Sequence, residues 1–285
     1  MYRLLSPQII VDNIVTLVSP LIDWKKNINA DVIKKAYRQL LSKLQPHCTR
    51  INDEQLFYSD AQTEHLFDAY FTNEATELKV DRVYTDDVLY PIAEKRKQAL
   101  ENALLQLEKT DPGFPDLFRL IINTVFCTPS KRLGGTSVNP RYIGVICAYN
   151  DMCSEEKTIP ESLMHEFTHN ALFLDELRYG HYDYEKMSDE KALIQIRTDT
   201  YAFPISFHRC LHSLFVNAEV LLVRDAYVGH QPLISQHLSS QEIVSRAKVY
   251  IESTEKNPDA QMVMTERSRM LFDICKKFYY SRGEK

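Results

Sequence analysis

The chain has 285 residues, of which 34 are basic and 39 acidic, so its formal net charge is -5. A slightly acidic chain without a basic cluster lacks the charge pattern of proteins that bind nucleic acid or anionic lipid. No stretch approaches the roughly 20 apolar residues of a membrane-spanning helix. Neither nucleic acid nor a membrane is therefore an expected partner.

The cysteines and the first residues of the chain indicate the cellular compartment in which we expect the protein. Six cysteines are scattered, and no two have CxxC spacing, whereas disulfide frameworks and zinc ribbons show tighter, paired spacing. Asp12 and Asn13 interrupt the apolar residues 1–21, which also lack the cleavage site of a secretory signal. We therefore expect free thiols and a cytoplasmic protein.

Apolar residues at helical spacing, together with only seven glycines, predict a mostly helical protein. Pro160 and Pro204 stand where the first turn of a helix tolerates proline. Ser239 and Glu242 have the spacing of a capping box ahead of an apolar run. In chain order, helices are predicted over residues 7–21, 30–44, 90–109, 160–178, 204–228, 240–252 and 261–280.

Two stretches, 121–127 and 142–149, are rich in β-branched and apolar residues, and a charged segment with glycines separates them. They predict a small sheet element directly before the helix at 160–178. This element could be a surface hairpin, or it could be a sheet edge that lines an active-site cleft.

The fold class that follows is mainly α with a small β element (α+β). No repeat, low-complexity tract or linker divides the sequence, so residues 1–285 are predicted to form a single domain. Within it, residues 1–110 would be a helical N-terminal part, and residues 111–285 would be the metal-binding catalytic part.

The segment His165-Glu166-Phe167-Thr168-His169 is an HExxH motif inside a predicted helix. Residues four apart lie one turn apart on the same helix face, so the two imidazoles can hold one ion. Glu166, about 100° further round the helix, can reach water at the ion without being a ligand. The motif also occurs by chance on exposed helices, but its apolar flanks place this helix in the core and favour a metal site.

A catalytic ion needs a third ligand. Asp175 would be rotated away on a continuing helix, and Glu176 would lie about 10 Å beyond His169. Asp189 and Glu190 have the spacing of the carboxylate ligand in thermolysin-like peptidases, although a helix N-terminus explains them better.

The preferred third ligand is His208, which shares a predicted helix face with His212. Two histidines on an apolar helix are costly to bury without partners. His165, His169 and His208 are therefore the predicted metal ligands. His212 could take the place of His208 or support it as a hydrogen-bond partner.

The chain resembles the HExxH-type 2-oxoglutarate-dependent β-hydroxylases, which are non-haem iron enzymes that modify residues of ribosomal peptides. The resemblance covers about residues 130–225, and only HExxH is individually specific. Where the family reads Arg-x-Asp-x-Arg-Pro, Tyr201 replaces the second arginine. The matching segments are Gly134-Gly135-Thr136-Ser137, Gly144-Val145-Ile146, the HExxH helix, Arg197-Thr198-Asp199 and His208.

This resemblance implies an Fe(II) centre held by His165, His169 and His208, with 2-oxoglutarate and O2 as co-substrates. Imidazole ligands and open coordination positions suit such iron chemistry. The implied substrate is a peptide, an amino acid or a carrier-bound aminoacyl group. Arg197 is the predicted partner of the distal carboxylate of 2-oxoglutarate. Arg209 and Arg224 are weaker candidates that we expect to be exposed.

The alternative is a zinc metallopeptidase in which Glu166 is the general base toward water at Zn2+. A sheet edge near 142–149 would then pair with the substrate backbone. The lack of a well-placed carboxylate ligand counts against this alternative. A third possibility is a non-catalytic helical module with structural histidines. The sequence carries no signal for the oligomeric state.

Overall fold

The computed structural model describes residues 4–46, 56–58, 89–128, 136–137, 141–149, 156–197, 202–230 and 237–282. The helices in this part are α1 (Pro7–Val18), α2 (Ala30–Leu44), α3 (Leu89–Thr110), α4 (Phe114–Ile121), α5 (Ile159–Tyr179), α6 (Tyr184–Met187), α7 (Phe207–Val223), α8 (Ser240–Glu255), α9 (Pro258–Val263) and α10 (Glu266–Ser281). The strands are β1 (Phe57–Tyr58), β2 (Thr124–Thr128), β3 (Thr136–Ser137), β4 (Val145–Tyr149), β5 (Ile194–Arg197) and β6 (Ala202–Ile205). The fold is mainly α with a small β element, as predicted.

The larger sheet has the strand order β1-β2-β4-β3. Strands β1, β2 and β4 are parallel, and β3 pairs antiparallel with β4 at one edge. The interpretation of 121–127 and 142–149 as a hairpin, or of 142–149 as a sheet edge, is therefore wrong. Residues 124–127 of β2 and 145–148 of β4 are buried, and all of them except Thr124 are apolar, which is typical of strands inside a parallel sheet.

Gly144 turns the chain into β4 and ties the sheet to α5. Its φ of 83° is in the left-handed region, and a Cβ there would lie 2.9 Å from the carbonyl oxygen of Ile121. Its N–H donates to Oδ1 of Asn170 on α5 over 2.6 Å. Asn170 follows His169 directly, so the sheet helps to fix the position of the HExxH helix.

Helix α5 lies in the core, as predicted for the HExxH helix. Fifteen of its 21 residues are buried, and it packs against α1, α3, α4 and α7. The Phe167 ring lies 5.1 Å from the ring of Phe114 and 6.0 Å from that of Phe118. A helix that is buried around most of its circumference holds its side chains in fixed positions.

The helix predicted over 204–228 begins later than expected, but its end at Val228 agrees with the structure. Pro204 lies in β6, which pairs with β5 in a two-stranded sheet, a place that tolerates proline because both strands are edges. Helix α7 begins only at Phe207, with Ser206 as its N-cap. At its other end the chain continues as a π-helix, Arg224–Val228.

None of the described helices is both long enough and apolar enough to cross a membrane. Cys127, Cys147, Cys210 and Cys275 are buried free thiols, as predicted. Cys48 and Cys153 lie outside the described residues.

Candidate metal centre

Five histidines form a continuous row, with two on α5, two on α7 and one, His237, three residues before the start of α8. In order they are His237, His165, His169, His212 and His208. The successive ring centroids are 4.9, 5.0, 5.1 and 4.5 Å apart. Helix α5 contributes one pair at four-residue spacing and α7 contributes the other, so the close packing of the two helices builds most of this histidine row.

The HExxH residues meet the geometric requirement of a metal site. His165, Glu166 and His169 each offer a ligand atom, and these atoms lie within 4.8 Å of one another. Burial lowers the pKa of His165 well below its ordinary value, and burial with the neighbouring His208 lowers the pKa of His169 to about 3. Both imidazoles are therefore neutral near pH 7, which is the form that binds metals.

A buried chain of polar groups ends on the first of these ligands. Nδ1 of His165 lies 2.8 Å from Nε2 of His237, and Nδ1 of His237 lies 3.1 Å from Oε2 of Glu161. Arg224 donates to both oxygens of Glu161, from Nε over 2.9 Å and from Nη2 over 3.0 Å. Burial alone would raise the pKa of Glu161, but hydrogen bonds from His237 and Arg224 lower it to about 2.

On the other side, Nδ1 of His169 lies 2.8 Å from Nδ1 of His212. His212 is 4% exposed, and none of the described residues is a hydrogen-bond partner of its Nε2. His212 also belongs to a second group with Glu176 and His208, whose ligand atoms again lie within 4.8 Å of one another. The structure thus offers two candidate metal groups, joined by the contact between His169 and His212.

His208, the predicted third ligand, lies in this second group, beside His212. Arg197 is exposed at the end of β5. The roles assigned to these two residues stay predictions. Arg209 is exposed as expected, whereas the expectation for Arg224 is wrong, because its side chain is buried and paired with Glu161.

Two of the carboxylates set aside as ligands have other roles. The side chain of Asp189 accepts the backbone N–H of Lys191 and caps the short 3-10 helix Glu190–Ala192, so the capping interpretation is confirmed. Asp175 is buried and binds Arg267 and His181.

No family model matches the chain, and no curated protein matches it. The resemblance to the iron-dependent β-hydroxylases therefore stays a prediction that depends on the residues themselves. Of these residues, Gly134, Gly135, Thr198 and Asp199 lie outside the described part of the chain, and so does Tyr201.

Sequence reasoning missed Glu161 and His237. Glu161 had a usable signal, because it precedes His165 by four residues and so shares its helix face. His237 had none, since its contact with His165 joins residues 72 positions apart.

Proposed function

We propose that the chain is a metal-dependent enzyme whose ion is bound by His165 and His169, with His208 as the third ligand. The observation that carries this proposal is the HExxH group itself. Two neutral imidazoles and the carboxylate of Glu166, which is 2% exposed, are held within 4.8 Å of one another on a helix fixed in the core. A chance motif on an exposed helix face would have neither the burial nor the surrounding hydrogen bonds.

The contact between His169 and His212 supports one ion rather than two. A hydrogen bond between two neutral imidazoles contains one proton. If Nδ1 of His169 donates, its Nε2 keeps a lone pair for the ion, and His212 carries its own proton on Nε2. The reverse arrangement frees Nε2 of His212 and protonates Nε2 of His169. Nε2 of His169 and Nε2 of His212 can therefore not both bind an ion at the same time.

We place the ion in the HExxH group because Glu166 adds an acid–base residue there. For the chemistry, we put first an Fe(II)- and 2-oxoglutarate-dependent oxygenase. Its support is the resemblance of the sequence to the HExxH-type β-hydroxylases, and imidazole ligands such as those of His165 and His169 suit iron. When bound, Fe(II) with 2-oxoglutarate and O2 would supply the oxidising power to hydroxylate a C–H bond.

In this proposal Arg197 holds the distal carboxylate of 2-oxoglutarate by a charge-assisted pair. The substrate is a peptide, an amino acid or a carrier-bound aminoacyl group. We infer a cytoplasmic location from the free thiols, because disulfides are rare in that compartment.

The position of Glu166 favours a second candidate, a zinc metallopeptidase. A buried carboxylate directly beside two metal-ligand histidines is placed to accept a proton from water as a general base. Zinc binds imidazole as readily as iron does. The donor set therefore does not separate the two chemistries, and the reaction has to be measured.

The test is succinate formation by protein purified without oxygen and then given Fe(II), 2-oxoglutarate and O2. We expect succinate that depends on iron and is lost in His165→Ala. The control is His230→Gln, since His230 is exposed and bonds to Asp225 and Ser240. The absence of succinate, together with tightly bound zinc and a peptide cleavage that Glu166→Gln abolishes, would establish the peptidase instead.

A further inference from the structure

Three side chains behind His165 form a chain of hydrogen bonds that the HExxH motif does not include. In order they are Arg224, Glu161 and His237. Their side chains are 6%, 0% and 6% exposed. Arg224 stands at the start of the π-helix, and its Nη1 also donates to the carbonyl oxygen of Leu238 and to Oγ of Ser240. The guanidinium of Arg224 therefore holds Glu161 close to the backbone of Leu238, the residue that follows His237.

The direction of the hydrogen bonds in this chain follows from the charge on Glu161. Glu161 is ionised by its pair with Arg224, so its oxygens only accept hydrogen bonds. His237 therefore donates from Nδ1, and with a single proton on the ring its lone pair lies on Nε2. That lone pair accepts the Nδ1–H of His165. His165 in turn keeps its own lone pair on Nε2, where an ion can bind it.

The contact between the two rings is a hydrogen bond. Nδ1 of His165 and Nε2 of His237 are 2.8 Å apart, which is a hydrogen-bond distance. A nitrogen that accepts a hydrogen bond from its neighbour in this way does not also bind the ion, so His237 acts on His165 and is not itself a ligand in this arrangement.

We propose that Glu161 and His237 are positioning residues that fix the tautomer and the ring orientation of His165. The inference rests on the proposed function, because it needs an ion on His165. Metal-binding histidines commonly donate their second N–H to a carboxylate, and the loss of such a partner typically lowers metal affinity about 10–100-fold. Here an additional imidazole, that of His237, transmits the effect of the carboxylate.

The experiment measures the Co(II) affinity of the full chain by competition with a chromophoric chelator. We expect His237→Phe and Glu161→Gln each to bind Co(II) about 10–100-fold more weakly than the wild type. We expect His237→Gln to recover part of the affinity, because its amide oxygen can accept the Nδ1–H of His165. The matched control is Tyr279→Phe, which removes one buried hydrogen bond to the carbonyl of Leu214 on α7 and is expected to keep wild-type affinity.

Two results would overturn the inference. Wild-type affinity in His237→Phe or in Glu161→Gln would show that the chain does not act on the ion. Complete loss of binding in both His237→Phe and His237→Gln, equal to that of His165→Ala, would make His237 a ligand instead. If circular dichroism shows that His237→Phe does not fold, the Co(II) affinities of Glu161→Gln and His237→Gln test the inference instead. A wild-type protein that binds no metal would contradict the proposed function itself. Failure of the proposed function is therefore distinguishable from failure of this inference, in which the wild type still binds Co(II).

Discussion

Asp175 shows how α5 accommodates a buried charge near its C-terminal end. Its carboxylate accepts hydrogen bonds from Nε and Nη2 of Arg267, from Nδ2 of Asn13 and from Nε2 of His181. Burial would raise its pKa, but these partners lower it from 3.8 to about 2. The charged form is therefore stabilised in the folded protein relative to the unfolded chain.

The sign of this shift gives a pH-dependent stability. Because the folded pKa lies below the unfolded one, the contribution of Asp175 is fully present above about pH 4 and is lost as the pH falls toward about 2. A gap of about two pKa units corresponds to roughly 2–3 kcal/mol. We expect the difference in free energy of unfolding between the wild type and Asp175→Asn to shrink by roughly 1.5 kcal/mol between pH 5 and pH 2.5, because pH 2.5 still lies above the folded pKa and part of the contribution remains there. Urea unfolding measures it, and a difference that stays constant over this range would contradict the assignment.

The histidine row shows which site residues could be predicted from the sequence. The pairs His165/His169 and His208/His212 were predictable, since four-residue spacing on a helix is a local pattern. That the two pairs lie close together across α5 and α7 was expected only because one ion was predicted to be bound by histidines of both helices. His237 and its link to Glu161 depend on tertiary packing after the π-helix, and no local pattern encodes that contact.

At the scale of elements, prediction succeeded where short-range signals determine the structure. The helix predicted over 30–44 agrees with α2, whose N-cap is Asn29. The helix predicted over 261–280 is divided instead, because Thr265 caps a new helix after α9. The parallel pairing of β2 with β4 was not predictable, since strand direction depends on how the intervening chain crosses the sheet.

The start of α8 offers a test of such a short-range signal. Ser239 and Glu242 form the predicted capping box, in which each side chain accepts the backbone N–H of the other residue. We expect Ser239→Ala to lower the free energy of unfolding by ~1 kcal/mol. Ser245→Ala, at an exposed position inside the same helix, is the control and should change it by less than about 0.5 kcal/mol. Equal effects in urea unfolding would show that the cap does not stabilise α8.

At the scale of the whole molecule, the HExxH helix joins the two halves of the sequence. Helices α1, α3 and α4 pack against α5 from the N-terminal side of the chain, and α7 packs against it from the C-terminal side. One hydrophobic cluster includes residues from Leu4 to Tyr279. The mainly α fold followed from composition and periodicity, whereas the position of α5 among four helices is a result of packing that no single segment encodes.

The most direct test is a crystal structure of the protein loaded with Fe(II) or Zn2+, with the ion located by its anomalous scattering. We predict one ion per chain, ~2.0–2.1 Å from a ring nitrogen of His165 and of His169, with His208 as the third ligand and the ring of His237 hydrogen-bonded to His165. An ion held instead by Glu176 and Nε2 of His212, or crystals that take up no ion, would contradict this account.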